Sequence, residues 1–476
     1  MIFGGRMKKI IILSFGLCLI NVCMAFSTQT RLNGLGVSNW MVEDDYNIWI
    51  NPARIVQYNK TAWFEPGVSP APQPSTQWAG VSGNILNGVG GLFVSRPYAS
   101  VLNNMGADPS GSDVTALTNF IIPNVLNSQN AGSMSALSPQ NKFDLFYGFG
   151  NKEKKYFGIM LNFDSNYSHY QNDFMEATPA DNDGSVEMEK ASYETNLSLG
   201  MVFLPGWKTS KEFDIALNLG FPVVKNEYSD SYYLAVQNNF ASDKRKLEAI
   251  SPVSYGATLR NIMKLNDTES LFFLIMTNYA NLNNTYTENK DTNADGISEV
   301  LNEQDRVQSV TNASLGLALN KQCSQKCFLV IGSEFNLTRT VSNAVTRNKI
   351  RDIITEEYDY ASEQYSVPLK AGLEYQFSRI FTARAGIRKY IFQWVTTTID
   401  DPDYFTTPNI VSSRIISETT IHQQNAVTLN MGLSAALWDQ LFIDTVINYD
   451  VLYSGTYLIS GVTNRPIAQM SVMYKF

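Results

Sequence analysis

The sequence predicts an all-β chain, a transmembrane up-and-down antiparallel β-barrel of about 14–16 strands. Three observations carry that prediction. Stretches of roughly ten residues alternate between apolar positions and polar or glycine positions. The connections between them alternate between short and long. The chain opens with an export signal, and beyond it no run of about 18 apolar residues offers a membrane-crossing helix.

The signal spans residues 1–25. Arg6, Lys8 and Lys9 precede the apolar run Ile10 to Val22, and Cys23-Met24-Ala25 suits cleavage after a small residue. A membrane anchor is the alternative, but the run is short for one. Cleavage removes Cys18 and Cys23 and leaves Cys323 and Cys327, in Cys323-Ser324-Gln325-Lys326-Cys327. In an oxidising compartment that spacing either closes a small Cys323–Cys327 disulfide across a turn or leaves two free thiols there.

Composition excludes other classes. With 44% hydrophobic and 12% aromatic residues, the chain is too apolar to be disordered. Its formal charge of −8 does not fit a nucleic-acid binder. Two histidines, His169 and His422, lack a recognisable spacing to a serine and a carboxylate, so no catalytic residue is assigned and the reading is of a non-enzyme.

Strands are predicted at roughly 60–67, 77–85, 88–97, 142–150, 155–167, 190–203, 212–225, 252–264, 269–282, 306–320, 326–340, 364–376, 380–394, 425–437, 440–454 and 465–476. The alternation is clear in Phe213, Ile215, Leu217, Leu219 and Phe221 against Asp214 and Asn218. Val367, Leu369, Ala371 and Leu373 likewise face away from Lys370, Gly372 and Glu374. Short connections include 151–154, 321–325, 378–379 and 438–439. Long ones are 98–141, 168–189, 226–251, 283–305, 341–363 and 395–424. Short periplasmic turns and long outer loops are the pattern of bacterial outer-membrane barrels, and an even strand count puts both ends on the periplasmic side. The last strand, with Met470, Val472, Tyr474 and terminal Phe476, resembles the C-terminal signal read by the barrel-assembly machinery. The competing fold is a secreted β-sandwich or propeller, which has no reason for the loop asymmetry.

Residues 26–59 do not alternate. They hold Gly34-Leu35-Gly36, Glu43-Asp44-Asp45 and Ile48-Trp49-Ile50-Asn51-Pro52-Ala53. This stretch resembles the long-chain fatty-acid transporter family of outer-membrane β-barrels, whose relatives include barrels of type IX secretion and hydrocarbon importers. The motif resemblance covers Gly34 to Ala53. Arg54 stands where the family has glycine, and Val37-Ser38-Asn39 where it has a Gly-Gly-Ala-like stretch. The resemblance implies an N-terminal plug, or hatch, carried by Gly34, Gly36, Asp44, Asp45, Asn51, Pro52 and Ala53, ahead of a barrel of residues 60–476. It also implies transport of a hydrophobic, fatty-acid-like small molecule across the outer membrane. Asp44 and Asp45 are placed to meet cations of the lumen. Asn51-Pro52 is placed to turn the chain into the first strand. The alternative to a plug is a periplasmic tail, which the aromatics Trp40, Tyr46 and Trp49 disfavour.

Three further groups stand out. Lys370, Glu374, Arg384, Arg388, Glu334 and Asp444 fall on lumen faces, where they set selectivity, hold a plug, or pair with one another. Asp291, Asn293, Asp295 and Glu299 follow the start of a calcium loop with Gly296 at the sixth position, although Asn302 replaces the closing glutamate. Wet outer loops are rich in the same residues for other reasons. Phe120, Ile121 and Leu126 make the loop 98–141 either a mouth for a hydrophobic substrate or a lid over the pore. The expected function is thus transport of a hydrophobic molecule past a plug. The alternatives are a general diffusion porin for polar solutes and a non-transport scaffold for a secretion or surface complex.

Overall fold

The computed structural model describes residues 29–65, 78–96, 140–174, 184–204, 210–234, 239–291, 293, 295, 297–403, 412–421, 427–438, 440–447 and 467–476. The strands are β1 (Thr61–Glu65), β2 (Trp78–Ile85), β3 (Gly88–Val94), β4 (Gln140–Asn151), β5 (Lys155–Phe174), β6 (Gly184–Phe203) and β7 (Ser210–Leu234). They continue as β8 (Asn239–Lys264), β9 (Glu269–Asp291), β10 (Val300–Ser324), β11 (Cys327–Asn348), β12 (Ile353–Gln376) and β13 (Phe381–Asp403). Ser412–Ile421 and Val427–Leu437 pair with successive parts of β13 and form one interrupted strand. Leu441–Ile447 and Ile467–Lys475 complete the sheet. Each strand runs antiparallel to the next, and β1 pairs with both β2 and Ile467–Lys475, closing a 16-strand barrel. Among the described residues no helix is long and apolar enough to cross a membrane.

A strand stands at each predicted position, but most run further. The stretches 226–251, 283–305 and 341–363, expected as loops, are largely hairpin: β7 reaches Leu234 and β8 starts at Asn239. The pattern hid this for a physical reason. Beyond an apolar belt both faces of a hairpin meet water, so alternation fades while the backbone ladder continues. Prolines mark irregularities. Pairing of β7 with β8 breaks between Gly220 and Lys225 at Pro222, and again between β8 and β9 near Pro252. Pro supplies no N–H and is confined to such places.

The outer face carries the belt. Leu217, Leu315, Leu317, Ile331, Leu369 and Ile387 are exposed there. Aromatic rings bound it on both sides. Near the long hairpins Tyr255 packs on Tyr279, and Tyr365 lies between Phe335 and Trp394. Near the short turns Phe149 stacks on Phe157, Phe377 on Phe381 and Tyr474 on Phe476. From Tyr365 to Tyr375 the chain rises roughly 34 Å, which a strand tilt of about 40° reduces to roughly 26 Å.

Candidate functional site

The segment before β1 folds as a helix α1 (Gln29–Leu35) and three single turns, Asn39–Met41, Asp45–Trp49 and Pro52–Gln57. Its sequence supplies each stop and start. Gly36 ends α1 at φ +64°, a left-handed conformation that costs glycine little. The Asp44 carboxylate accepts the Tyr46 N–H at 2.7 Å and caps the second turn. Asn51 accepts the Ala53 N–H at 3.0 Å, with Pro52 at the first position of the third turn.

This segment contacts strands spread around the closed sheet, on the face that their glycines share. Leu32, Leu35, Trp40, Met41 and Val42 share an apolar cluster with Ile262, Phe272 and Val330 of the wall. Ile48 and Ile55 share another with Trp63, Phe93 and Phe146. Trp49 packs edge-on against both phenyl rings, with centroids 4.9 Å away.

Wall glycines make room for it. A Cβ on Gly158 would fall 2.4 Å from the Ala53 backbone, and one on Gly200 2.0 Å from Asn51 Oδ1. On the opposite side a Cβ on Gly316 would meet Trp40 at 2.4 Å, and one on Gly386 the Leu35 carbonyl oxygen at 1.9 Å. Glycine inside a strand costs stability and often marks such close approach. In the sequence they fall on the non-apolar face of the alternation, and glycine there is the signal that the inner wall receives something.

Charged groups lock the fit. Arg31 donates from Nε and Nη2 to both oxygens of Glu374, each at 2.6 Å. Arg384 also reaches Glu374, at 2.5 Å, and Asp444 at 2.8 Å. Arg54, 1% exposed, contacts Asp214 at 2.8 Å and Glu212 at 2.5 Å. Arg260 reaches Asp214 at 2.9 Å and the Asn47 side chain at 2.7 Å. Each network sets two guanidinium groups against two carboxylates, so each is neutral. A third site joins Lys370 to Glu334, with Ser38 and Trp40 of the segment donating to the Glu334 carboxylate.

The segment's cations dock it as well: Arg31 and Arg54 bind acids of the wall. Asp44 caps a turn, and Asp45 accepts the Trp63 indole N–H at 2.5 Å. Burial, and after it the Asp44 charge, holds the Asp45 carboxyl well above the usual carboxylate range, while the Trp63 bond pulls it down. The two departures from the family pattern are contact residues, since Arg54 is an anchor and Ser38 meets Glu334. Lys370, Glu374, Arg384, Asp444 and Glu334 face the side where the segment docks. Arg388 faces that side too, 5.7 Å over the Tyr390 ring, with no ion pair among the described residues.

Two spaces border the segment. Towards the short turns lies a vestibule of about 780 Å³ that includes Asp44, Tyr58 and Glu212. Towards the long hairpins lies a chamber of about 260 Å³ with Trp49 and Arg96 on its wall. Beyond it Val224, Leu247, Leu282, Ala280 and Val310 form an apolar patch on the inner face.

The remaining expectations fall elsewhere. Asp291, Asp295 and Glu299 bring carboxylate oxygens within 4.8 Å of one another at the β9–β10 hairpin tip. Asn293 Oδ1 there accepts the Asp295 N–H at 3.0 Å. Cys323 and Cys327 are free thiols at the β10–β11 turn. His169 is exposed on β5 opposite Glu189. Phe120, Ile121, Leu126, His422 and residues 1–25 lie outside the described residues.

No family model and no curated protein matches the chain. Among solved structures it is similar to the Pseudomonas putida toluene transporter TodX, at 12% identity over 93% of this chain and 96% of that one, with a TM-score of 0.37. It is similar to a Pseudomonas aeruginosa FadL homologue, at 10% identity over 94% and 98%, with a TM-score of 0.36. A third likeness is to the ferric yersiniabactin uptake receptor FyuA from Yersinia pestis, at 9% identity over 87% and 80%, with a TM-score of 0.34.

Proposed function

We propose that this chain is an outer-membrane transport barrel, plugged from within by its N-terminal segment, that passes small, mainly apolar molecules. The observation that carries this reading is the fit of the segment into a ring of wall glycines, locked by neutral ionic networks. Such a fit is specific. The outer belt of roughly 26 Å supports the membrane assignment, because barrels of that kind carry an apolar band about 25 Å tall between aromatic girdles. The inner apolar patch at Val224, Leu247 and Leu282 supports an apolar cargo, as does the resemblance of Gly34 to Ala53 to the fatty-acid transporter family. In this reading cargo meets the patch, reaches the chamber beside Trp49, and passes when the segment shifts from its glycine seats. The terminal strand is the part that the barrel-assembly machinery reads.

The second reading, a diffusion porin, is favoured by the asparagine and serine side chains of the chamber. Cargo uptake separates the two. Cells displaying the chain are expected to admit the apolar fluorophore N-phenyl-1-naphthylamine several-fold faster than cells without it, with no gain for the trisaccharide raffinose. A gain for raffinose alone selects the porin and contradicts the apolar cargo.

A further inference from the structure

We propose that the chamber beside Trp49 binds an uncharged, hydrogen-bonding headgroup of the polyol or amide class, so that the cargo is a neutral amphiphile. This inference rests on the transport reading above and names its cargo more closely.

The wall chemistry carries it. Ser198, Asn218, Ser254 and Asn278 line one partly open space on four adjacent strands. Their side chains make no hydrogen bond among the described residues, so they are available to a ligand that displaces water from that space. An amide side chain offers donors and an acceptor together, and a hydroxyl does both. A sugar or amide group matches that set, whereas a hydrocarbon leaves it unpaired.

Charge argues against a carboxylate. Arg96 is the charged residue on the lining among the described residues. It is already committed: Nε lies 3.1 Å from Asp144 Oδ2, and the guanidinium stacks 3.7 Å over the Trp49 ring. An anionic head entering the chamber therefore meets no uncompensated cation, and its desolvation goes unrepaid. The chamber of about 260 Å³ holds a single small group, just under the roughly 300–1,000 Å³ of drug-sized pockets. Its wall runs into the apolar patch, since Ala280 and Val310 belong to both. That continuity sets a polar head towards Trp49 and an apolar tail towards the long hairpins.

The test uses the full chain in lipid nanodiscs and calorimetric titration at pH 7 with two probes each built on a six-carbon chain, n-hexyl β-D-glucoside and hexanoate. The glucoside is expected to bind at least tenfold more tightly than hexanoate. Asn218→Leu with Asn278→Leu is expected to weaken the glucoside tenfold or more and to leave hexanoate unchanged. Hexanoate binding as tightly as the glucoside in the unaltered chain overturns the proposal, and that arm needs no variant to fold. Glucoside affinity unmoved by the double substitution overturns it as well. The transport reading fails separately: if removing residues 26–57 never opens the barrel, the plug is wrong whatever the headgroup binding shows.

Discussion

Arg54→Ala is expected to free the N-terminal segment from the wall while the barrel stays folded. The guanidinium is fully enclosed and answers two carboxylates, Asp214 and Glu212. Removing one partner of a buried pair costs about 3–5 kcal/mol, because the other charge is left uncompensated. Arg260 still neutralises one carboxylate, so the network goes from neutral to one net negative charge. The wall itself is held by its ladder of antiparallel pairs, which the substitution does not touch. The expected result is a large rise in thermolysin cleavage within residues 29–57 of the membrane-inserted chain, with unchanged β-sheet circular dichroism. Adding Glu212→Gln is expected to recover much of the protection, since it restores neutrality. Arg54→Lys is expected to fall between, because an ammonium keeps the charge but loses the planar fork. Equal protection in Arg54→Ala and the unaltered chain would contradict the assignment of Arg54 as the anchor.

The second large effect belongs to the glycine seats. Gly386→Leu places a Cβ at a point 1.9 Å from the Leu35 carbonyl oxygen, and Gly158→Val does the same at 2.4 Å from the Ala53 backbone. Backbone has nowhere to swing, so the segment must move or the wall must bend. Overpacking of this kind typically costs about 1–3 kcal/mol and occasionally more. Closed barrel walls resist bending, so the segment is expected to yield. Either substitution should produce the same cleavage pattern as Arg54→Ala, with normal barrel assembly. Gly83→Leu is the control, because a Cβ there meets nothing within 4 Å. A Gly386→Leu or Gly158→Val chain that assembles normally and keeps full protection would show that the glycines are not seats for the segment.

These effects lie at the level that the sequence conveyed least. Strand positions were legible because period-two alternation is local, and a barrel wall divides two environments along each strand. Phe213 to Phe221 and Val367 to Leu373 could be read on sight. Turn polarity was legible too, from the short connections at 151–154 and 438–439. The docking of the segment was not. Arg31 and Glu374 lie 343 positions apart, and no local pattern pairs them. Glu43-Asp44-Asp45 is the conspicuous charged group of the segment, and its contacts include a turn N–H and the Trp63 indole. A lone Arg54 beside Asn51-Pro52-Ala53 was the better clue, because an arginine in a tightly turned, aromatic-rich stretch has to be paired. The inward glycines at Gly158, Gly200, Gly316 and Gly386 are a second clue, since four strands each give up side-chain packing on the inner face.

The most direct test is single-channel conductance in planar bilayers, recorded for the full chain beside one lacking residues 26–57. The account predicts a closed intact barrel, broken at most by rare openings, and a large steady conductance once the segment is removed. A steady conductance in the intact chain would contradict it, because the proposed plug closes the pore. Silence in both would contradict it equally, by showing that something other than the segment closes the barrel.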